Sequence, residues 1–124
     1  MTQFVDVVPV LPVRDISGAI HYYTEKLGFG LVFQDDPQEP CYAVLKRDGA
    51  ALHVQWHEET DFKGVEAGTL MLRFSVDDPD ALFEEYRDKG VFHDRTQLRD
   101  TPWGTREFAF FDPDGNGLTF YRGL

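Results

Sequence analysis

The sequence predicts an α+β fold built from two βαβββ repeats, each forming a cupped mixed sheet. The first observation is a strand–helix pattern that ends at a glycine and occurs twice, in residues 4–28 and 69–90. The second is a hairpin with Asp and Gly in its turn, which closes each half. The third is size, because each half is too small to bury both faces of its sheet. The repeats span residues 3–57 and 69–122, joined by a polar linker at 58–68, and the halves must pair within the chain or between chains.

The first repeat opens with a strand and a helix. Residues 4–13 are rich in β-branched side chains and predict a strand, in which Pro9 limits the ladder hydrogen bonds. Asp15 or Ser17 can cap the free N–H groups of the helix that follows. Gly28 is predicted to end this helix, because glycine is favoured just past a helix C-terminus.

Three further strands complete the first repeat, and the second repeat follows the same plan. The expected strands are residues 30–34, 42–46 and 51–56, with the last two forming a hairpin across Arg47-Asp48-Gly49. In the second repeat we expect a strand at 69–76, a helix at 79–89, a short strand at 92–95, and hairpin strands at 108–111 and 118–121.

Composition limits the class of partner. The chain has 124 residues, 42% of them hydrophobic and 15% aromatic, which is enough for a packed core. A net charge of −10 argues against nucleic acid, whose phosphates would be repelled. No apolar run is long enough for a membrane span, so no membrane partner is expected. The single Cys41 cannot form an internal disulfide, which favours a cytoplasmic location.

The alternation of side chains along the strands predicts which residues face the concave side of each sheet. Leu11, Val13, Leu52, Val54, Trp56, Leu72, Phe74 and Val76 are expected on the faces covered by helices. Val8, Val10, Tyr42, Val44, His53, Gln55, Arg73, Ser75, Phe108, Phe110, Thr119 and Tyr121 are expected on the concave faces. This aromatic and weakly polar set suits a planar organic ligand. Phe108 and Phe110 have the alternative of being ordinary core residues.

Two residues add to this predicted binding surface. Trp103 lies between Pro102 and Gly104, in a turn where its large ring could serve as a platform for a flat ligand. Arg73 would attract a carboxylate, phenolate or other anionic group of that ligand.

Four motifs resemble the vicinal oxygen chelate superfamily, and most closely its bleomycin-resistance proteins. They are VPVL at 8–11, LGF at 27–29, PWG at 102–104 and DPDGN at 112–116. The resemblance covers essentially the whole chain and implies the glyoxalase/bleomycin-resistance fold. It also implies a homodimer with exchanged N-terminal strands, in which Pro9 marks the crossing point and two ligand crevices form at the dimer interface.

The same resemblance allows a test for metal dependence. Metal-dependent members carry His, Gln or Glu at four strand positions, which correspond here to Val8, His53, Met71 and Thr119. Only His53 is a good ligand, whereas a catalytic metal site needs about three protein ligands. His57 stands four residues further along the same strand, roughly 13 Å away, and cannot share an ion with His53. We therefore expect no metal and no other cofactor.

The resemblance also implies a function. In bleomycin-resistance proteins, aromatic residues at the positions of Tyr42 and Trp103 sandwich the conjugated rings of the drug, and acidic loop residues attract its cationic tail. Asp35, Asp36 and Glu39 fit that acidic role. The prediction is a protein that sequesters a bleomycin-like or other planar antibiotic without chemical change. Two alternatives stay open: an enzyme on the same fold, metal-free or with an unusual metal site around His53, and a dimeric scaffold with no small ligand.

Overall fold

The computed structural model describes residues 1–124 and contains two compact units, residues 1–57 and 58–124. Each unit carries one four-stranded mixed sheet, as the α+β prediction requires. Neither of the two α-helices reaches the length and apolar character that a membrane span needs.

The first unit follows the predicted order of elements. It contains β1 (Val10–Val13), α1 (Ile16–His21), a π-helical turn (Tyr22–Lys26), β2 (Gly30–Gln34), β3 (Tyr42–Arg47) and β4 (Ala50–Trp56). The strand order is β1-β4-β3-β2, with β1 parallel to β4 and the other neighbours antiparallel. The helical segment ends as predicted, because Gly28 follows it with a φ of 80° that glycine adopts without steric penalty.

One face of the first sheet forms the core of this unit. The side chains on it are fully buried and comprise Leu11, Val13, Ala43, Leu45, Leu52 and Val54. The helical segment packs on this face with Ile16, Tyr23 and Leu27, which are also buried. This burial confirms the predicted alternation in the first sheet. Trp56 was expected under the helix but is 45% exposed, because it is the last residue of β4 and lies beyond the buried part of that strand.

The second unit repeats the arrangement. It contains a one-turn 3-10 helix (Glu59–Phe62), β5 (Met71–Ser75), α2 (Pro79–Tyr86), β6 (Arg99–Asp100), β7 (Thr105–Phe111) and β8 (Gly117–Gly123). The strand order is β5-β8-β7-β6, again with one parallel pair, β5 and β8. Asp78 caps α2 by accepting the N–H of Ala81 at 3.0 Å.

Phe108 and Phe110 lie in the core of the second unit, so their predicted place on the concave face is wrong. The turn at 112–116 places Phe111 opposite Gly117, and the ladder therefore pairs Phe108 with Phe120. Both Phe108 and Phe110 are 2% exposed. Tyr86 of α2 packs edge-on against Phe110, with ring centroids 5.9 Å apart.

The expected strand at 92–95 is also wrong, because side chains take the place of a strand at this edge of β7. The ring of His93 accepts the N–H of Phe111 through Nε2 at 2.8 Å. The hydroxyl of Thr96 donates to the carbonyl of Ala109 at 3.0 Å. A short strand forms only at Arg99–Asp100, further along the same edge.

The first strand is shorter than predicted. It begins at Val10, because Pro9 has no N–H to donate to a ladder and contributes only its carbonyl, which accepts the N–H of His53 at 2.9 Å. Upstream of Pro9 the chain forms no strand, and the side chains of Phe4, Val5 and Val7 are at least 88% exposed.

Candidate ligand-binding site

The candidate site in the second unit lies on the sheet face opposite the aromatic core. The register places Arg73 of β5 beside Thr119 of β8 and Ala109 of β7. Tyr121 of β8 lies beside Glu107 of β7 in the same way. Arg73, Thr119 and Tyr121 therefore occupy the face predicted for them, whereas Phe108 and Phe110 support this face from the other side of the sheet.

Glu107 is the centre of this face, and sequence reasoning missed it. Glu107 is only 7% exposed. Its Oε1 accepts three hydrogen bonds. The donors are Trp103 Nε1 at 3.2 Å, Arg73 Nη2 at 3.1 Å and Thr105 Oγ1 at 2.5 Å. Burial raises the pKa of Glu107, but the bonds from Thr105, Arg73 and Trp103 outweigh it and hold the pKa below its ordinary value. In the sequence, the one sign of this role is an acidic residue between Arg106 and the Phe108-Ala109-Phe110 segment.

Trp103 is presented to solvent by a turn and held there by its N–H. The residue is 60% exposed, so it is not part of the core. Gly104 allows the turn with a φ of 88°. The bond from the indole N–H to Glu107 fixes the orientation of the ring, and the guanidinium of Arg99 lies 5.5 Å from the ring centroid. The indole ring is thus exposed to solvent, while its N–H edge is held in place by Glu107.

Arg73 does not offer the unpaired cation that the sequence suggested. Its guanidinium forms an ion pair with Glu107 and also lies over the ring of Tyr121, 4.3 Å from the centroid. These contacts neutralise much of its charge and orient Tyr121 at the edge of the face.

The candidate site in the first unit centres on Tyr42 and His53. The Tyr42 hydroxyl and His53 Nδ1 share a hydrogen bond of 2.6 Å, and the two rings meet edge to face. Gln55 lies opposite Tyr42 in the ladder and is exposed. The structure thus brings Tyr42, His53 and Gln55 together on the face opposite the core.

Asp35 and Asp36 organise the loop that leads into β3. Asp35 Oδ1 accepts the backbone N–H of Cys41 at 2.9 Å and that of Tyr42 at 3.2 Å. The bond from Cys41 is the main reason that the pKa of Asp35 lies below its ordinary value. Asp36 accepts the N–H of Gln38 at 2.9 Å. Both carboxylates remain exposed, and Asp35 also helps to position Tyr42.

Among the side chains described, no group of three or more His, Cys, Asp or Glu residues is arranged to hold a metal ion. His53 is engaged by the hydroxyl of Tyr42 through Nδ1.

The chain thus contains two βαβββ units. Each unit has a buried apolar face and an opposite face that carries aromatic and polar side chains. This is the class of proteins built from two βαβββ repeats. The chain belongs to the Glyoxalase/Bleomycin resistance protein/Dioxygenase superfamily, whose family description matches residues 4–120.

Within the superfamily, the chain is similar to bleomycin-resistance and antibiotic-binding proteins. The chain is 34% identical to the bleomycin resistance protein of Geobacillus stearothermophilus, over 93% of this chain and 94% of the relative. A solved structure of the bleomycin-binding protein from Streptomyces verticillus, complexed with copper(II)-bleomycin, is 31% identical over the whole of both chains, with a TM-score of 0.79. TnmS3, an antibiotic binding protein from Streptomyces sp. CB03234, is 25% identical over 99% of this chain and 100% of its own, with a TM-score of 0.70. These findings confirm the resemblance to bleomycin-resistance proteins.

Proposed function

We propose that this protein binds a bleomycin-like or other planar antibiotic and sequesters it without chemical change. The observation that carries the proposal is Trp103, a large ring that is 60% exposed and oriented by a buried carboxylate. A ring held in place before binding loses less conformational freedom when a ligand stacks on it. The relatives named above support the choice of ligand class.

Tyr42 is the second aromatic residue that we assign to the conjugated rings of the ligand. Its hydroxyl is fixed by His53 and its backbone by Asp35, so this ring is also oriented in advance. Gln55, His53 and Tyr121 can supply polar contacts to the ligand. Asp35 and Asp36 give their loop a negative charge that attracts a cationic tail over about a Debye length. Phe108 and Phe110 play no direct part, because they are buried in the core.

We further propose that the protein acts as a cytoplasmic homodimer that exchanges its N-terminal segments at Pro9, with the ligand crevices at the dimer interface. The exposed side chains of Phe4, Val5 and Val7 support this, because a run of apolar side chains in water favours a partner. Sedimentation should show a dimer at micromolar concentration, and deletion of residues 1–8 should weaken it. A stable monomer would overturn the assembly. A net charge of −10 disfavours nucleic acid as a partner.

Sequestration and catalysis on this fold are distinguished by the fate of the drug. Bacteria sensitive to bleomycin should grow at higher drug concentrations when they express the protein. The drug recovered from denatured complex should have an unchanged mass and unchanged activity. A modified drug would instead support the enzyme alternative, and failure to protect against bleomycin or any other planar antibiotic would overturn the proposal.

A further inference from the structure

A cavity of about 260 Å³ opens on the second unit, next to the carboxylate that holds Trp103. It is lined by Arg95, Gln97, Arg99, Glu107, Phe108 and Ala109. Pockets that enclose whole drug-sized ligands usually measure about 300–1,000 Å³. This cavity therefore suits one substituent of a ligand rather than the entire molecule.

Two arginines in this lining have no acidic partner. Arg73, Arg87 and Arg106 each bind a carboxylate of the same unit, whereas the guanidinium groups of Arg95 and Arg99 form no ion pair and no hydrogen bond. Asp100, the neighbour of Arg99 in sequence, accepts a bond from Arg106 at 3.0 Å instead. Two unpaired guanidinium groups thus face one cavity in a chain whose net charge is −10.

The one acid in the lining does not cancel this positive charge. Glu107 is paired with Arg73, and its Oε1 already accepts three hydrogen bonds. Gln97 adds an amide that can donate to an anion. Guanidinium groups bind carboxylate, sulfate and phosphate oxygens through paired N–H donors, so this lining is complementary to an anion.

We propose that the cavity binds an anionic substituent, such as a carboxylate or sulfonate, of the planar ligand that stacks on Trp103. The proposal rests on the proposed function, because Trp103 supplies the stacking surface. Arg99 connects the two parts of the site, since it lines the cavity and its guanidinium lies 5.5 Å from the Trp103 ring. The ligand class is therefore an aromatic system with a negatively charged group close to its rings.

Two matched fluorescent dyes test this inference. 1-Anilinonaphthalene-8-sulfonate and N-phenyl-1-naphthylamine share their aromatic rings and differ by one sulfonate. We expect the sulfonate dye to bind about tenfold more tightly to the wild-type protein, the equivalent of about 1.4 kcal/mol. The double variant Arg95→Gln, Arg99→Gln should bring the two affinities to within about twofold of each other. The control Arg87→Gln removes one positive charge from an exposed surface pair outside the cavity and should keep the preference.

Trp103→Ala separates failure of this inference from failure of the proposed site. If Trp103→Ala weakens both dyes but wild type binds them equally, the stacking site stands and the anion site is overturned. An equal loss of both dyes in the double arginine variant would also overturn it. If neither dye depends on Trp103, or neither binds, the proposed stacking site fails and the anion site fails with it.

Discussion

Replacing Glu107 by glutamine removes the negative charge on which Trp103, Arg73 and Thr105 converge, while keeping the shape of the side chain. Hydrogen bonds to a charged group contribute about 1.5–3 kcal/mol each, compared with about 0.5–1.5 kcal/mol for neutral ones. The Arg73 side chain is 44% exposed, so solvent screens its share of this difference. We expect Glu107→Gln to lower the free energy of unfolding by about 1–2 kcal/mol at pH 7.

The stability that Glu107→Gln removes should become smaller as the pH falls. The pKa of Glu107 is lower in the folded protein than its ordinary value, so its carboxylate stabilises the fold above glutamate's usual pKa of about 4.3. This contribution is lost as the pH falls through the folded pKa. Urea unfolding at pH 7 and at pH 3 should therefore show a difference between wild type and Glu107→Gln that shrinks in acid. Glu84→Gln, at an exposed surface pair, is the control and should change little. A difference that is the same at both pH values would refute the reasoning.

Three further predictions concern the ligand, the core and metal. Trp103→Ala should weaken binding of a planar antibiotic by about 5- to 150-fold, or 1–3 kcal/mol, by calorimetric titration, and equal affinity would contradict the stacking role. Phe108→Ala should lower the free energy of unfolding by about 3–5 kcal/mol, because the Phe108 side chain is buried. Phe111 is exposed, so Phe111→Ala should lower it much less. Equal losses in the two variants would contradict the faces assigned to these residues. Elemental analysis should find Zn, Ni, Mn and Fe below stoichiometric amounts, because His53 is the one good ligand among the four family positions, and a tightly held stoichiometric ion would show that those positions were wrongly matched.

Much of the fold could be predicted because the sequence marks the ends of its elements. Gly28 has a φ of 80° just past the first helical segment, as its position suggested. The second helix ends earlier than the predicted residue 89, because α2 stops at Tyr86 and Gly90, with a φ of 72°, lies in the turn beyond it. The hairpin across Asp48 and Gly49 forms where expected. The absence of a strand at 92–95 could not be predicted, because here His93 accepts a bond from β7 and Thr96 donates one to it, and these side chains meet β7 only in the folded chain.

The candidate site was predicted in part, and its errors come from register. Period-2 alternation identifies which residues share a face but does not say which face is buried. Phe108 and Phe110 were therefore placed with Thr119, although the turn pairs Phe108 with Phe120. Glu107 was missed because the role of a buried acid is recognisable only from its hydrogen-bond donors. These come from β5, from the turn before β7 and from the first residue of β7. The exposure of Trp103 could be predicted, because a tryptophan between proline and glycine has no strand or helix to bury it, and its role in binding stays a prediction.

Calorimetric titration of the purified protein with bleomycin tests the central claim most directly. The account predicts saturable binding of one drug molecule per chain, a strong loss of affinity in Trp103→Ala, and drug that is recovered unchanged after denaturation. The same affinity in wild type and Trp103→Ala, or no binding of bleomycin or of any other planar antibiotic, would contradict it.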